Sequence, residues 1–135
     1  MTIRLDHTIV PASDKIASAE FFAQIFGLTV KKGGHFAQVQ INESLTFDFA
    51  DERGPGGEPN ADATAIQVHH YAFHVSDDEF NAIFDRLKGK GLAYGSGPFN
   101  RADSKLYYLR GGRGFYFEDP DGHLLEVMTV QETGS

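Results

Sequence analysis

A chain of 135 residues, 41% hydrophobic and 23% charged, can form one compact domain that buries most of its apolar surface. Its net charge of −7 opposes a nucleic-acid or anionic-membrane partner, since both need a basic surface. Without cysteine there are no disulfides, thiolate metal sites or cysteine nucleophiles.

The start M-T-I-R-L-D-H lacks the apolar stretch of a signal peptide, and nowhere do 18 apolar residues run together, so a soluble, cytoplasmic protein is expected. Leu5 to Val10 reads as a short apolar strand, followed by Ser13-Asp14, residues that cap helix starts. Ile16, Ala19, Phe22, Ala23 and Phe26 then recur at helical spacing until Gly27 closes the helix. Strands are predicted at Gly34 to Ile41 and Leu45 to Ala50, around the turn-rich Asn42-Glu43-Ser44. Residues 52–67, rich in Gly, Pro and acid, read as a surface linker.

Past the linker the pattern starts again. His70 to Val75 is apolar, Ser76-Asp77 provides a cap, and Phe80, Ile83, Phe84 and Leu87 mark a second helix that ends near Gly91. Setting His7 on His70 places Ser13-Asp14 on Ser76-Asp77 and brings Gly27-Leu28 within one residue of Gly91-Leu92. The chain is therefore an internal repeat. Tyr94 to Lys105 reads as a long glycine-bearing loop, a candidate mobile cover. Phe115 to Glu118 and Leu124 to Met128 flank Pro120-Asp121-Gly122, a three-residue hairpin loop in which Pro sets the first turn position and Gly the left-handed one. Two strand–helix–strand–strand units in tandem predict an α+β protein whose sheets combine around a shared cavity, with helices outside.

The hairpin sets a register. With Asp119 facing His123, Glu126 lies opposite Tyr116 on the same face. An isolated acid within L-L-E-V-M is costly to bury unless something positive meets it. The repeat supplies partners: His7 and His70 occupy matching first strands. Two histidines and one carboxylate on strands suit Fe(II), Mn(II), Zn(II) or Ni(II) with positions left open for substrate. Transferring the second hairpin onto the first, with Ser44 in the place of Gly122, sets Asp48 in the place of Glu126 and makes it a candidate fourth ligand. A slip of one residue would substitute Phe47.

The strand histidines, the run H-Y-A-F-H-V-S-D-D-E-F and the ending G-F-Y-F-E-D-P-D-G-H-L-L-E resemble the vicinal oxygen chelate superfamily over about residues 4 to 130. That superfamily includes glyoxalase I, fosfomycin-resistance thiol transferases, extradiol dioxygenases and metal-free bleomycin-binding (bleomycin-resistance) proteins. The resemblance implies one domain over residues 1–135 made of paired βαβββ modules, about 3–51 and 68–130, which form a curved mixed sheet around a metal cavity, commonly in a homodimer. It also implies His7, His70 and Glu126 as metal ligands and a small-molecule substrate held by its adjacent oxygens, the metal stabilising an oxyanion or enolate.

The other candidates carry competing readings. Tyr116 would hydrogen-bond substrate or a metal-bound water, or simply pack. His74, on the face of His70, is a candidate acid or base as against a structural histidine. Arg113, in R-G-G-R-G, would hold an anionic substrate group, or is an ordinary exposed turn arginine. His69 points away from His70 by alternation, His123 beside the turn is expected to face outward, and His35 has no identifiable partner.

The leading function is a divalent-metal enzyme of the glyoxalase and fosfomycin-resistance type (isomerase, lyase or transferase), with glutathione or another thiol as co-substrate. The H-Y-A-F run favours the thiol-transferase branch, although such enzymes carry Thr two residues after the first histidine, where Ile9 stands. An Fe(II) extradiol dioxygenase uses the same ligand set. A metal-free small-molecule binder is the third reading; it has no need to bury Glu126.

Overall fold

The computed structural model describes residues 3–52 and 66–130. The chain divides into two compact units, Met1–Gln67 and Val68–Ser135. The described residues follow the order β-α-β-β-β twice, so the α+β class and the tandem βαβββ modules are those the sequence predicts. The greater part of the expected linker, 53–65, lies outside the described residues.

In the first unit, β1 (His7–Ala12) leads to α1 (Lys15–Phe26), then β2 (Val30–Lys31), β3 (Ala37–Gln40) and β4 (Thr46–Asp51). The sheet order is β1-β4-β3-β2, with β1 parallel to β4 and the remaining pairs antiparallel. The Asp14 carboxylate accepts the amides of Ile16 and Ala17 and so starts α1. Gly27, at φ 73°, ends it in the left-handed conformation that glycine adopts without strain. Phe22 joins the helix to the sheet, its ring 5.3 Å from Phe47 and 5.9 Å from Phe49.

The second unit repeats this plan with β5 (His70–His74), α2 (Asp77–Gly89), β6 (Tyr107–Leu109), β7 (Gly112–Glu118) and β8 (Leu124–Met128), in sheet order β5-β8-β7-β6. Again the first strand is parallel to the last. Ser76 and Glu79 form a reciprocal capping box at the start of α2. Phe80 packs edge-on against Phe115 at 5.3 Å, and Phe84 lies 5.1 Å from the same ring. Phe115, Phe117, Leu125 and Val127 are thus the buried, helix-facing side of this sheet.

Three expectations need correction. The first strand begins at His7 rather than Leu5, which is 65% exposed. The short strands β2 and β6, two and three residues long, are absent from the residue-by-residue reading because alternation has no room to register over so few positions. The loop after α2 is tied down along its length. Gly95 exchanges two backbone hydrogen bonds with Tyr116, Ser104 donates to the Tyr94 carbonyl, and the Ser96 hydroxyl donates to Asp103 at 2.6 Å. A side chain at Gly95 would collide with the Asn100 carbonyl, so glycine is required there by close backbone approach.

Candidate active site

The hairpin β7–β8 has the register read from its turn, with Tyr116 opposite Glu126 and Glu118 opposite Leu124. The Asp119 carboxylate accepts the amides of Asp121 and His123, at 3.0 and 2.9 Å, and Gly122 donates to the Asp119 carbonyl at φ 91°. A short acidic side chain thus folds the turn on itself, the local chemistry that makes Asp a turn residue.

Parallel pairing of β5 with β8 sets His70 beside Leu124 and Ala72 beside Glu126. From there the His70 side chain reaches diagonally, and its Nε2 lies 3.0 Å from Glu126 Oε1. The other carboxylate oxygen, Oε2, accepts the Tyr107 hydroxyl at 2.5 Å. Glu126 is 7% exposed, so these two partners satisfy an acid that its apolar neighbours could not. Tyr116 completes the face, its ring 5.8 Å from His70 and 5.7 Å from Tyr107. The helix packs on the opposite face.

The first unit repeats the register. His7 is opposite Thr46 and Ile9 opposite Asp48, so Asp48 occupies the position of Glu126. The transfer of one hairpin onto the other thus has the right register. Asp48 is 5% exposed and its carboxylate accepts the Gln38 amide at 3.2 Å, Gln38 standing where Tyr116 stands in the second unit. His7 bonds instead to its neighbour, Nδ1 to Asp6 Oδ2 at 2.8 Å. That hydrogen bond, aided by the charges of Asp48 and Asp6 and opposed by desolvation, raises the His7 pKa above its ordinary value.

Two candidates lie elsewhere. Arg113 alternates to the helix side of β7: its guanidinium sits 4.1 Å over the Phe80 ring and donates to Asn81 at 2.9 Å and Asp77 at 3.3 Å. It fastens α2 to the sheet and points away from the Glu126 face. His74 shares the face of His70, but its Nε2 meets the Thr129 carbonyl at 3.2 Å. His123, expected outside, is 1% exposed, because its Nδ1 turns inward to accept the His69 amide at 3.0 Å. His69 itself is on the side away from His70, as alternation requires.

Tyr107 is the site residue that the sequence reading missed. Its strand is made by a hairpin whose turn is Arg110-Gly111, at φ 50° and 79°. Two consecutive left-handed residues are the mark of a tight hairpin turn. The signal was present in R-G-G-R-G, but as turn chemistry and not as an anion-holding arginine.

The donor set fits a divalent ion in part. Two ligand atoms at a right angle, each about 2.1 Å from a common ion, stand about 3.0 Å apart, and His70 Nε2 and Glu126 Oε1 have that separation. Imidazole nitrogen and carboxylate oxygen are the donors that Fe(II), Mn(II) and Zn(II) accept. Within the second unit no third His or acidic side chain joins the pair among the described residues. A complete centre needs another donor.

A repeated βαβββ unit, with imidazole and carboxylate meeting on the sheet face away from the helix, defines a vicinal oxygen chelate protein. The chain belongs to the Glyoxalase/Bleomycin resistance protein/Dioxygenase superfamily, whose model matches residues 4–127. Among solved structures it is similar to the oxidase ChaP-H2, with 44% identity, a TM-score of 0.86 and coverage of 99% of this chain and 98% of that one. Among curated proteins it is 30% identical to the glutathione transferase FosA of Serratia marcescens, over 91% of this chain and 78% of that protein. It is 28% identical to the metallothiol transferase FosB of Lysinibacillus sphaericus, over 96% of this chain and 84% of that protein. No helix among the described residues is long and apolar enough to cross a membrane.

Proposed function

We propose that this protein is a divalent-metal enzyme that oxidises a small aromatic substrate bearing adjacent oxygens, with O2 as oxidant. The observation that carries this reading is the His70–Glu126 pair, set at ligand spacing on a face walled by the rings of Tyr107 and Tyr116. His70 and Glu126 would hold the ion, and His7, at the matching position of the first unit, is a metal ligand on the family's pattern. Such an ion, when bound, would supply Lewis acidity toward the substrate oxygens and a route for electrons from substrate to O2. The two tyrosine rings, tilted 44° to each other, offer an aromatic wall against which a planar substrate packs. Tyr116 then serves as a hydrogen-bonding group toward substrate.

Oxidation is favoured over thiol transfer on two grounds. The likeness to an oxidase is closer, at 44% identity over 99% of the chain, than that to the glutathione transferase, at 30% over 91%. Ile9, where thiol transferases carry Thr, removes a hydroxyl from the strand beside Asp48 and leaves a 52% exposed aliphatic side chain. Thiol transfer with glutathione is the second reading, supported by the curated relatives. In either reading the enzyme is a cytoplasmic homodimer.

The test is O2 uptake by protein loaded with Fe(II) or Mn(II), across a panel of catechols and larger aromatic diols, beside thiol consumption with an epoxide. Uptake that disappears in His70→Ala and Glu126→Gln supports the oxidase. A flat O2 trace with thiol consumed establishes the transferase instead, and no bound metal in the wild type rejects both.

A further inference from the structure

We infer that Tyr107 is a positioning residue which makes Glu126 a one-oxygen metal ligand, and that Gly114 is glycine in order to admit its ring. The inference rests on the metal reading above. The carboxylate of Glu126 is divided between two partners, Oε1 toward His70 Nε2 at 3.0 Å and Oε2 under the Tyr107 hydroxyl at 2.5 Å. A phenol that donates to one carboxylate oxygen lowers that atom's value as a metal donor and fixes the plane of the group. Only Oε1 then faces the ion.

Gly114 supplies the second, independent observation. It is the cross-strand partner of Tyr107. A Cβ at this position would fall 2.2 Å from Tyr107 Cζ, 2.4 Å from its hydroxyl oxygen and 2.5 Å from Cε2. Gly114 is not among the residues with positive φ, so its backbone would accept any side chain. The ring, not the turn, demands glycine. Tyr107 thus lies flat across the sheet over a bare backbone, and this brings its hydroxyl from an edge strand to a carboxylate two strands away.

The consequence is an open coordination sphere. A carboxylate bound through both oxygens fills two positions of an ion; through one oxygen it fills one. Tyr107 thus keeps one position of the ion open to a substrate oxygen.

The experiment uses the full chain loaded with Co(II), reading Co(II) affinity by calorimetry and the carboxylate stretches by infrared difference spectroscopy, with Glu126→Gln assigning the Glu126 bands. The gap between antisymmetric and symmetric stretches narrows when a carboxylate passes from one-oxygen to two-oxygen binding. Tyr107→Phe is expected to narrow the Glu126 gap and lower affinity about 10-fold or more, the range for outer-shell partners of a ligand. Gly114→Ala, which displaces the ring, is expected to match it, and the double variant to be no worse than Tyr107→Phe alone. An unchanged gap and affinity in Tyr107→Phe overturns the inference while the metal reading stands, as does a Gly114→Ala loss that persists in full in the Tyr107→Phe background. If Gly114→Ala does not fold, Tyr107→Phe decides alone. Wild-type protein that binds no Co(II) overturns the metal reading and this inference together.

Discussion

The ring of His123 accepts the backbone amide of His69 at 3.0 Å, joining positions 54 residues apart. The next residue continues the join, since Leu124 donates to the His69 carbonyl at 2.9 Å. One side chain thus opens the parallel ladder between β5 and β8, the two strands that carry His70 and Glu126. The ring also stacks on that of His69, 5.8 Å away and 12° from parallel.

Replacing His123 should therefore loosen the second unit. His123→Leu leaves the His69 amide without its acceptor and is expected to cost about 1–3 kcal/mol in urea unfolding. In His123→Asn the amide oxygen takes the place of Nδ1, so most of the stability should return. Equal losses in both variants would show that ring packing matters more than the hydrogen bond.

Burial raises the Asp119 carboxyl above its ordinary value, while the charge of His123 and the amides of His123 and Asp121 pull against it. An acid whose pKa is higher in the folded protein binds its proton more tightly there. Its contribution to stability is complete below its unfolded pKa and is lost as pH rises through the folded value. Asp119→Asn keeps a carbonyl acceptor for both amides and removes the titration. Unfolding free energy measured from pH 4 upward is expected to fall less steeply in the variant, with stability at pH 7 kept or improved. A steeper fall would refute this.

Arg113 should behave as a structural residue. Arg113→Ala removes the cation over Phe80 and the bonds to Asn81 and Asp77, an expected loss of about 1 kcal/mol, since the pair with Asp77 is largely solvated. KM in the proposed oxidation should stay within about 2-fold, as nothing on the Glu126 face changes. A rise in KM with stability intact would return Arg113 to substrate binding.

In metal-free protein, His7 should titrate above an ordinary histidine, because Asp6 accepts a hydrogen bond from its ring and both Asp6 and Asp48 favour the cation. Proton NMR of the imidazole across pH 5 to 9 measures this directly. Asp6→Asn is expected to lower the value more than Asp48→Asn does, since the hydrogen bond is the largest influence. The stability linked to this group is present at low pH and lost as pH rises through the folded value.

Local chemistry made much of this protein readable. Ser or Asp ahead of a helical period and glycine after it marked both helices, because caps and left-handed ends involve only neighbouring residues. The repeat placed His7 and His70 at matching positions, and the register bears this out, with Asp48 and Glu126 equivalent across the two sheets. Pro-Asp-Gly and the two-residue period of a strand set Tyr116 opposite Glu126 without reference to the rest of the chain.

Other features could be decided only in three dimensions. His123 sits beside a turn, where a side chain normally meets solvent, yet it is buried because the start of β5 lies over it. Arg113 is one residue from a bare glycine and pointed by pleat toward α2, whose Phe80 and Asn81 capture it. Tyr107 reaches Glu126 only because a three-residue edge strand aligns with β7 and Gly114 leaves room for its ring. Turns, caps and pleats are set by residues a few positions apart, so sequence alone determined them. The neighbour that satisfies a buried polar group comes from 19 residues away for Tyr107 and 56 for His70, and that choice belongs to the assembled sheet.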